Sequence, residues 1–562
     1  MKKILCLLLS ALMIVAVFSG CTSKDAPVTN DTTTPSASGT PDVPPTGVPS
    51  EPVITTPEAP EQIGVLTIAI TRDENSLTPI TYVTGSPGFD IMKLMYDSLF
   101  TISAENTVIP WMVSDDFEIS ADQKTFTMML LDGQMWHDGT PLTGEDVAFT
   151  FDYYKNTFTH SRWTAIAKQV ESVAVSGNEI VITLESANPG FLRAGLADLR
   201  IIAKHQFEGV ADPTELPNMG SGAFRQTEYK TAEYYTLEAM DSYFRGTPGV
   251  KTIRMPIMDS SSAQQTLLAG ELATYTGGVS VELLNMFDTN PDITVERSDG
   301  YGSTLLLLNC ERTPFDNADF RRALSLAVNL DQIIDQVMLG YGTKGTAGYV
   351  RSGLDEFNEG LDYTYDVAAA NELLDSIGYT EKDSTGLRLG LDGKPMKLEL
   401  LTSGGRSRIA EFLIQHFAAI GIDVEITSLD GDALDLRVWP DFDTSKPHDY
   451  DMAMFGWSAP VVQRPGAIVG ACSSDYSGAG GQNLSHYVNA EFDALAEQFR
   501  SSVDSAERLE LNKQMQQIAA RDIPFITIYF SDSVSAVNTA MYSGWVFAKG
   551  GNAVNVFSFL PK

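Results

Sequence analysis

Between residues 397 and 426 the chain changes its hydrophobic period twice within thirty positions. Residues 397–401 read as a short strand. After Ser403-Gly404-Gly405-Arg406 come Ile409, Phe412, Leu413, Phe417 and Ile420, spaced as one face of a helix. Gly421 stops that helix, and Ile422, Val424 and Ile426 then alternate as a strand. The same grammar recurs elsewhere. Asp366 opens a helix whose apolar face is Val367, Ala370, Leu374 and Ile377, with Gly378 suited to its C′ position. Asn329 and Gln332 form a capping box ahead of Ile333, Ile334 and Val337, and Thr143 with Asp146 forms another ahead of Val147, Phe151 and Tyr154. Residues 65–70 read as a strand and 89–99 as a helix, while Phe126, Met128 and Leu130 share one face of a strand. Helices of this length between short strands demand an α/β architecture, and 562 residues exceed what one core serves, so two or more lobes are expected.

The N-terminus has a different grammar. Lys2 and Lys3 precede an apolar run over residues 4–17, too short for a comfortable membrane span and followed by Phe18-Ser19-Gly20-Cys21. That tetrapeptide resembles a bacterial lipobox, with Phe18 where Leu or Val is usual, so residues 1–20 are expected to be a signal peptide and Cys21 the lipidated residue. Residues 22–60 are Thr, Ser and Pro punctuated by acids, unable to bury enough surface to offset their ordering entropy. They read as a tether, on the order of 130 Å when fully stretched.

The net charge of −35 argues against nucleic acid as a partner, because phosphate binding draws on Lys and Arg clusters that the chain lacks. Cys310 and Cys472 are the two cysteines of the folded body. Neither belongs to a CxxC pair, and a single disulfide or two free thiols both remain open. Enzymatic signatures fail one by one. Gly340-Tyr341-Gly342-Thr343-Lys344-Gly345 matches GxGxxG but follows a helix, not a strand. No GxSxG or Walker A sequence occurs, and the histidines at 137, 160, 205, 416, 448 and 486 have no metal-ligand spacing. Neither a metal nor a cofactor is expected.

Motifs spread over the body carry a resemblance. The most specific is Lys124-Thr125-Phe126-Thr127, Leu131-Asp132-Gly133, then Trp136-His137-Asp138-Gly139-Thr140-Pro141-Leu142-Thr143 and Asp146-Val147. Pro314-Phe315-Asp316, Phe320-Arg321-Arg322-Ala323-Leu324, Gly378-Tyr379, Ile420-Gly421-Ile422, Tyr450-Asp451, Gly456-Trp457, Asn483, Tyr487-Val488-Asn489 and Asp522-Ile523-Pro524-Phe525 follow in order. Together they resemble family 5 of the bacterial extracellular solute-binding proteins, the oligopeptide/dipeptide-binding group. The resemblance implies an α/β, two-lobed periplasmic-binding-protein-like fold of class II with an extra subdomain on the first lobe. Lobe I would comprise residues 61–308 and 530–562, with the subdomain at about 100–215, and lobe II residues 309–529. Crossovers would fall near 305–309 and 525–530. It further implies a non-enzymatic receptor that hands a peptide or peptide-like solute to the permease subunits of an ABC importer; with the lipobox this receptor is expected to be lipid-anchored, and a monomer is the default expectation. A sugar, a metal chelate or haem in the same fold is the alternative, and a secreted hydrolase a more distant one.

Within that frame Trp457 ends a strand that faces the interlobe cleft, and Ser458 follows it. The resemblance also marks Arg406 as a carboxylate clamp and points to Arg464, to Tyr82 and Gly85 in an early loop, and to Tyr487 as ligand contacts. Relatives place an acid shortly after the tryptophan to pair with a peptide's α-amino group, yet residues 458–464 contain none. Trp136, Asp138, Gly139 and Asp146 read as turn and cap residues.

Overall fold

The computed structural model describes residues 62–81, 88–160, 162–458, 462, 465–549 and 552–561, all within the compact unit Pro60–Lys562. The signal segment, the tether and Cys21 lie outside the described residues, as do Tyr82, Gly85 and Arg464. None of the described helices is long and apolar enough to cross a membrane.

Numbering strands in chain order, the first sheet runs β11-β1-β10-β9-β8. It comprises β1 (Ile63–Ala69), β8 (Phe224–Lys230), β9 (Tyr234–Ala239), β10 (Val250–Pro256) and β11 (Thr274–Tyr275). Strand β1 lies parallel to both β10 and β11, and the rest of the sheet is antiparallel. A two-stranded ribbon, β2 (Phe100–Ile102) with β3 (Val108–Pro110), leads to a four-stranded antiparallel sheet β4-β5-β7-β6. This is made of β4 (Glu118–Ile119), β5 (Thr125–Met129), β6 (Val170–Ser176) and β7 (Glu179–Leu184). Phe126 and Met128 are buried from β5 while Met129 is exposed, as their alternation predicts. Trp136 is fully buried beside turns in which Gly133 and Gly139 take positive φ. Asp146 accepts from the Thr143 and Lys204 backbone N–H groups at 2.9 Å each, so it caps the helix Gly144–Asp152 and ties it to the helix Lys204–Phe207. His137 accepts from the Gly220 N–H and its Nε2 lies 3.1 Å from the Gly222 carbonyl, so this stretch is a structural knot.

The third sheet has the order β13-β17-β12-β16-β14-β15. Its members are β12 (Ile293–Leu308), β13 (Thr343–Lys344), β14 (Lys397–Ser403), β15 (Asp423–Leu429), β16 (Met452–Trp457) and β17 (Phe525–Asn538). The stretches Leu305–Leu308 and Met452–Met454 are apolar throughout because both faces of the sheet are covered there. Leu306 and Leu308 enter one core with Leu400, Met452, Met454, Ile526 and Ile528, while Leu305 and Leu307 enter another with Leu401, Ala453 and Phe525. Strands β12 and β17 also extend beyond this sheet. Ile293, Val534 and Ala536 pack in a third core with β1 and β11 residues, and Val537 joins the large core around the first sheet. The change of core falls between Val295 and Leu305 on one strand and between Tyr529 and Val534 on the other, where the β12–β17 pairing shifts register between Ser298 and Gly302. This transition precedes residues 305–309, which are held inside the third sheet by β16 and β17.

Two local readings need amendment. Asn329 does accept from the Gln332 N–H at 3.0 Å, but the Gln332 side chain turns to His416 Nε2 at 2.8 Å, so only half of that capping box forms. The helix expected over 89–99 is Gly88–Met95. It ends where Asp97 is buried to accept bonds from Trp111, Tyr243 and Ser221.

Candidate functional site

Strands β15, β14 and β16 are mutually parallel neighbours, with β14 in the middle. The chain leaves β14 to reach β15 on one side and leaves β15 to reach β16 on the other. Their carboxyl ends therefore open at a point where connections diverge, the place where open α/β sheets hold ligands. Three loops meet there. The first, after β14, makes the turn Gly404–Arg406 that feeds the helix Ser407–Ala418. A second loop follows β15, where Asp430 caps the helix Gly431–Val438 through the Ala433 N–H at 2.8 Å and Trp439 follows that helix. The end of β16 supplies Trp457, paired with Ser303 of β12.

Arg406 lies back across β16. A Cβ placed on Gly456 would sit 2.8 Å from Arg406 Nη2, and nearer still to the Ser303 carbonyl, so glycine at 456 leaves room for the guanidinium. Arg406 is half-buried and has no hydrogen bond or ion pair among the described residues. Burial draws its pKa below the ordinary guanidinium value, against the more distant pull of Tyr529 and Asp435. Asp435, on the helix after β15, is itself raised by burial and by Asp432, while Arg406 and Arg72 act in the opposite sense. Arg72 is exposed and belongs to the segment just after β1, so it links the first sheet electrostatically to this edge of the third.

Beside the cation stands an aromatic wall. Trp457 is half-buried and meets Trp439 and Phe455 edge-on, each at 5.5 Å between ring centroids. Trp439 in turn meets Phe442 at 5.1 Å, and its buried Nε1 has no hydrogen-bond partner among the described residues. Flat apolar rings next to an unpaired guanidinium suit a solute with an apolar body and an anionic group.

Of the residues singled out in the sequence, Arg406, Trp457 and the exposed Ser458 come together here. Tyr487 does not. It is buried in the core, its hydroxyl donates to Asp522 at 2.5 Å, and Asn483 brackets its backbone at 3.1 and 2.7 Å. Its backbone is bound within its own loop, and its hydroxyl ties that loop to the helix Ser505–Asp522. Asp435, Trp439, Phe455 and Arg72 were not singled out. Asp435 and Trp439 sit in and after an ordinary amphipathic helix, and no local pattern separates them from surface or core residues. Cys310 and Cys472 are free thiols, which removes the disulfide alternative.

A family model described as bacterial extracellular solute-binding proteins, family 5, middle, matches residues 107–478. Heme-binding protein A of Haemophilus influenzae is 24% identical over 480 residues, covering 81% of this chain and 85% of that protein. Oligopeptide-binding protein AppA of Bacillus subtilis is 25% identical over 500 residues, covering 85% and 88%. The solved structure of the Bacillus subtilis AppA protein in complex with a nonapeptide superposes with a TM-score of 0.76 at 23% identity, covering 90% of this chain and all of that one.

Proposed function

Since this chain belongs to family 5 of the bacterial extracellular solute-binding proteins, which are transport binding proteins and not enzymes, we propose that it is the lipid-anchored receptor of an ABC importer for a peptide-like solute carrying a carboxylate. The solute would lay its apolar part on Trp457 and Trp439 and its carboxylate on Arg406, with Ser458 at the rim. The observation that carries this reading is the half-buried Arg406 guanidinium without a hydrogen bond or ion pair among the described residues. Leaving a charge so placed costs free energy that an incoming anion recovers. The absence of a carboxylate in residues 458–464 argues further for recognition through an acid group over recognition through a free amino terminus.

The lobes follow from the same frame. Lobe I is the region of residues 61–308 and 530–562 and lobe II that of 309–529, with the hinge drawn to the register shift between Ser298 and Gly302, before the start of the nominal lobe II. A solute touching both Arg406 and the Arg72 segment binds the closed arrangement better than the open one, and only that difference drives closure. Cys21 would carry the lipid, residues 22–60 would let the receptor swing, and the permease would take the solute unaltered. One relative is named for haem, and a propionate-bearing ring would meet the same cation and aromatic wall.

Native mass spectrometry of protein purified without refolding tests this by revealing a retained small solute. Thermal-shift screening then compares di- to pentapeptides, sugars, metal chelates and haem, since a ligand at 100 times its Kd adds about 2.7 kcal/mol to stability. A carboxylate-bearing solute should raise the midpoint and be recovered intact. If only uncharged solutes act, the Arg406 reading falls, and if the solute is consumed, the receptor reading falls.

A further inference from the structure

At the amino end of β16, away from Trp457, three loops converge on a cluster the solute site does not use. Glu311 follows β12, His448 precedes β16, and His486 lies in the loop before the helix Ala490–Ser501. One ring nitrogen from each histidine and a Glu311 oxygen all lie within 4.8 Å of one another. His448 Nε2 stands 3.5 Å from the Glu311 carboxylate, close to the ~3.3 Å that separates two ligands on a tetrahedral ion with bonds of roughly 2.0–2.1 Å. The imidazoles stack with centroids 3.5 Å apart.

Three features point to a ligand. His486 Nε2 and the neighbouring Ser485 hydroxyl are both buried without a hydrogen-bond partner among the described residues, unmet polar atoms that native interiors avoid. His486 is only 9% exposed, so its unmet ring nitrogen faces the protein interior and not solvent. The loops that carry the three side chains are also braced to one another. The Cys310 N–H donates to the Ser485 carbonyl at 2.9 Å, Asn309 Nδ2 donates to the Tyr450 carbonyl at 2.8 Å, and Asn309 Oδ1 takes the Glu311 N–H at 3.2 Å while lying 3.4 Å from His448 Nε2.

The geometry points to a divalent transition-metal site formed by Glu311, His448 and His486, for a borderline ion such as Zn(II), at the amino end of β16 and so at the opposite end of that strand from the solute site. Two imidazoles and one carboxylate match the donor preference of that class, and three protein ligands leave a position for water. Glu311 is exposed and gives the ion a way in. Loading would swing the two rings out of their stack, since an ion lies in the plane of each ring it bonds. The Cys310 thiol faces the Leu308 and Pro524 carbonyls at 3.5 and 3.9 Å and takes no part.

The test uses the untagged full chain, stripped with a chelator and titrated with Co(II) and with Zn(II). One equivalent should bind, with visible d–d bands of a low-coordinate site and without the near-ultraviolet band of a cobalt–thiolate bond. His486→Gln and His448→Gln should weaken binding by at least ~100-fold, more than the ~10–100-fold that loss of an outer-shell partner costs. Glu311→Gln should weaken it measurably while leaving thermal stability and solute binding unchanged. Should a histidine variant fail to fold, Glu311→Gln carries the test because its side chain is outside the core. No stoichiometric uptake by the wild type, a thiolate band, or unchanged affinity in Glu311→Gln would overturn the assignment.

Discussion

Replacing Arg406 with methionine separates what the residue does for the empty protein from what it does for the solute. The guanidinium is half-buried over Gly456 with no hydrogen bond or ion pair among the described residues, and burial pulls its pKa down. Methionine keeps much of the aliphatic stem's packing and removes the desolvated charge. The urea midpoint of ligand-free Arg406→Met should therefore be unchanged or higher, by up to about 1 kcal/mol. Binding should move the opposite way. Hydrogen bonds to a charged group contribute about 1.5–3 kcal/mol each, so losing one such contact weakens affinity by ~10- to 150-fold. The assay is calorimetric titration of wild type and variant with the carboxylate solute that shifts melting most, and with its neutral amide. The wild type should distinguish acid from amide by that factor and the variant should not, which closes a cycle on the Arg406–carboxylate pair. A variant that loses more than about 1 kcal/mol when empty, yet still separates acid from amide, would refute the reasoning, because Arg406 would then serve the fold and not the solute.

Three further outcomes follow from the same structure. His137 accepts from the Gly220 N–H and burial lowers its pKa to about 4, below the ordinary 6.5; the unfolded chain therefore gains a proton first, and stability should fall by at most about 3 kcal/mol as pH drops from 6.5 to 4, a slope that His137→Gln should flatten in pH-dependent urea curves. Leu306→Ala opens a cavity on a fully buried face of the third sheet and should cost about 2–5 kcal/mol by urea denaturation. Cys310, its pKa raised by burial to about 11, and the wholly buried Cys472 should both resist thiol reagents in the native state and react together on unfolding, so an intact mass two hydrogens short would contradict free thiols.

Much of the local structure could be read from residues a few positions apart. The cap at Asp366, which takes the Ala369 N–H at 2.9 Å, the glycine stops at 378 and 421 with φ of 99 and 78, and the alternation in β5 all stand in the fold as their spacing implies. The failures are equally local in origin. At Asn329 the spacing allowed a box, but His416 competed for the Gln332 side chain, and a spacing rule cannot see a partner 84 positions away. Nor does the sequence near Tyr487 show that its hydroxyl is taken by Asp522, 35 positions on.

The amino acids in order determined that this chain makes buried strands between amphipathic helices, that Trp457 ends one of those strands, and that an arginine follows another. The tertiary structure decided which of these ends stand side by side. Sheet order sets β14 against β16, and only then does Arg406 lie over Gly456 beside Trp457 and Trp439. The same holds for Glu311, His448 and His486, drawn from three loops whose spacing matches no metal motif. Hydrophobic period dictates which face of an element turns inward, but the neighbours on that face are chosen by strand pairing across long stretches of chain, and chemistry depends on the neighbours.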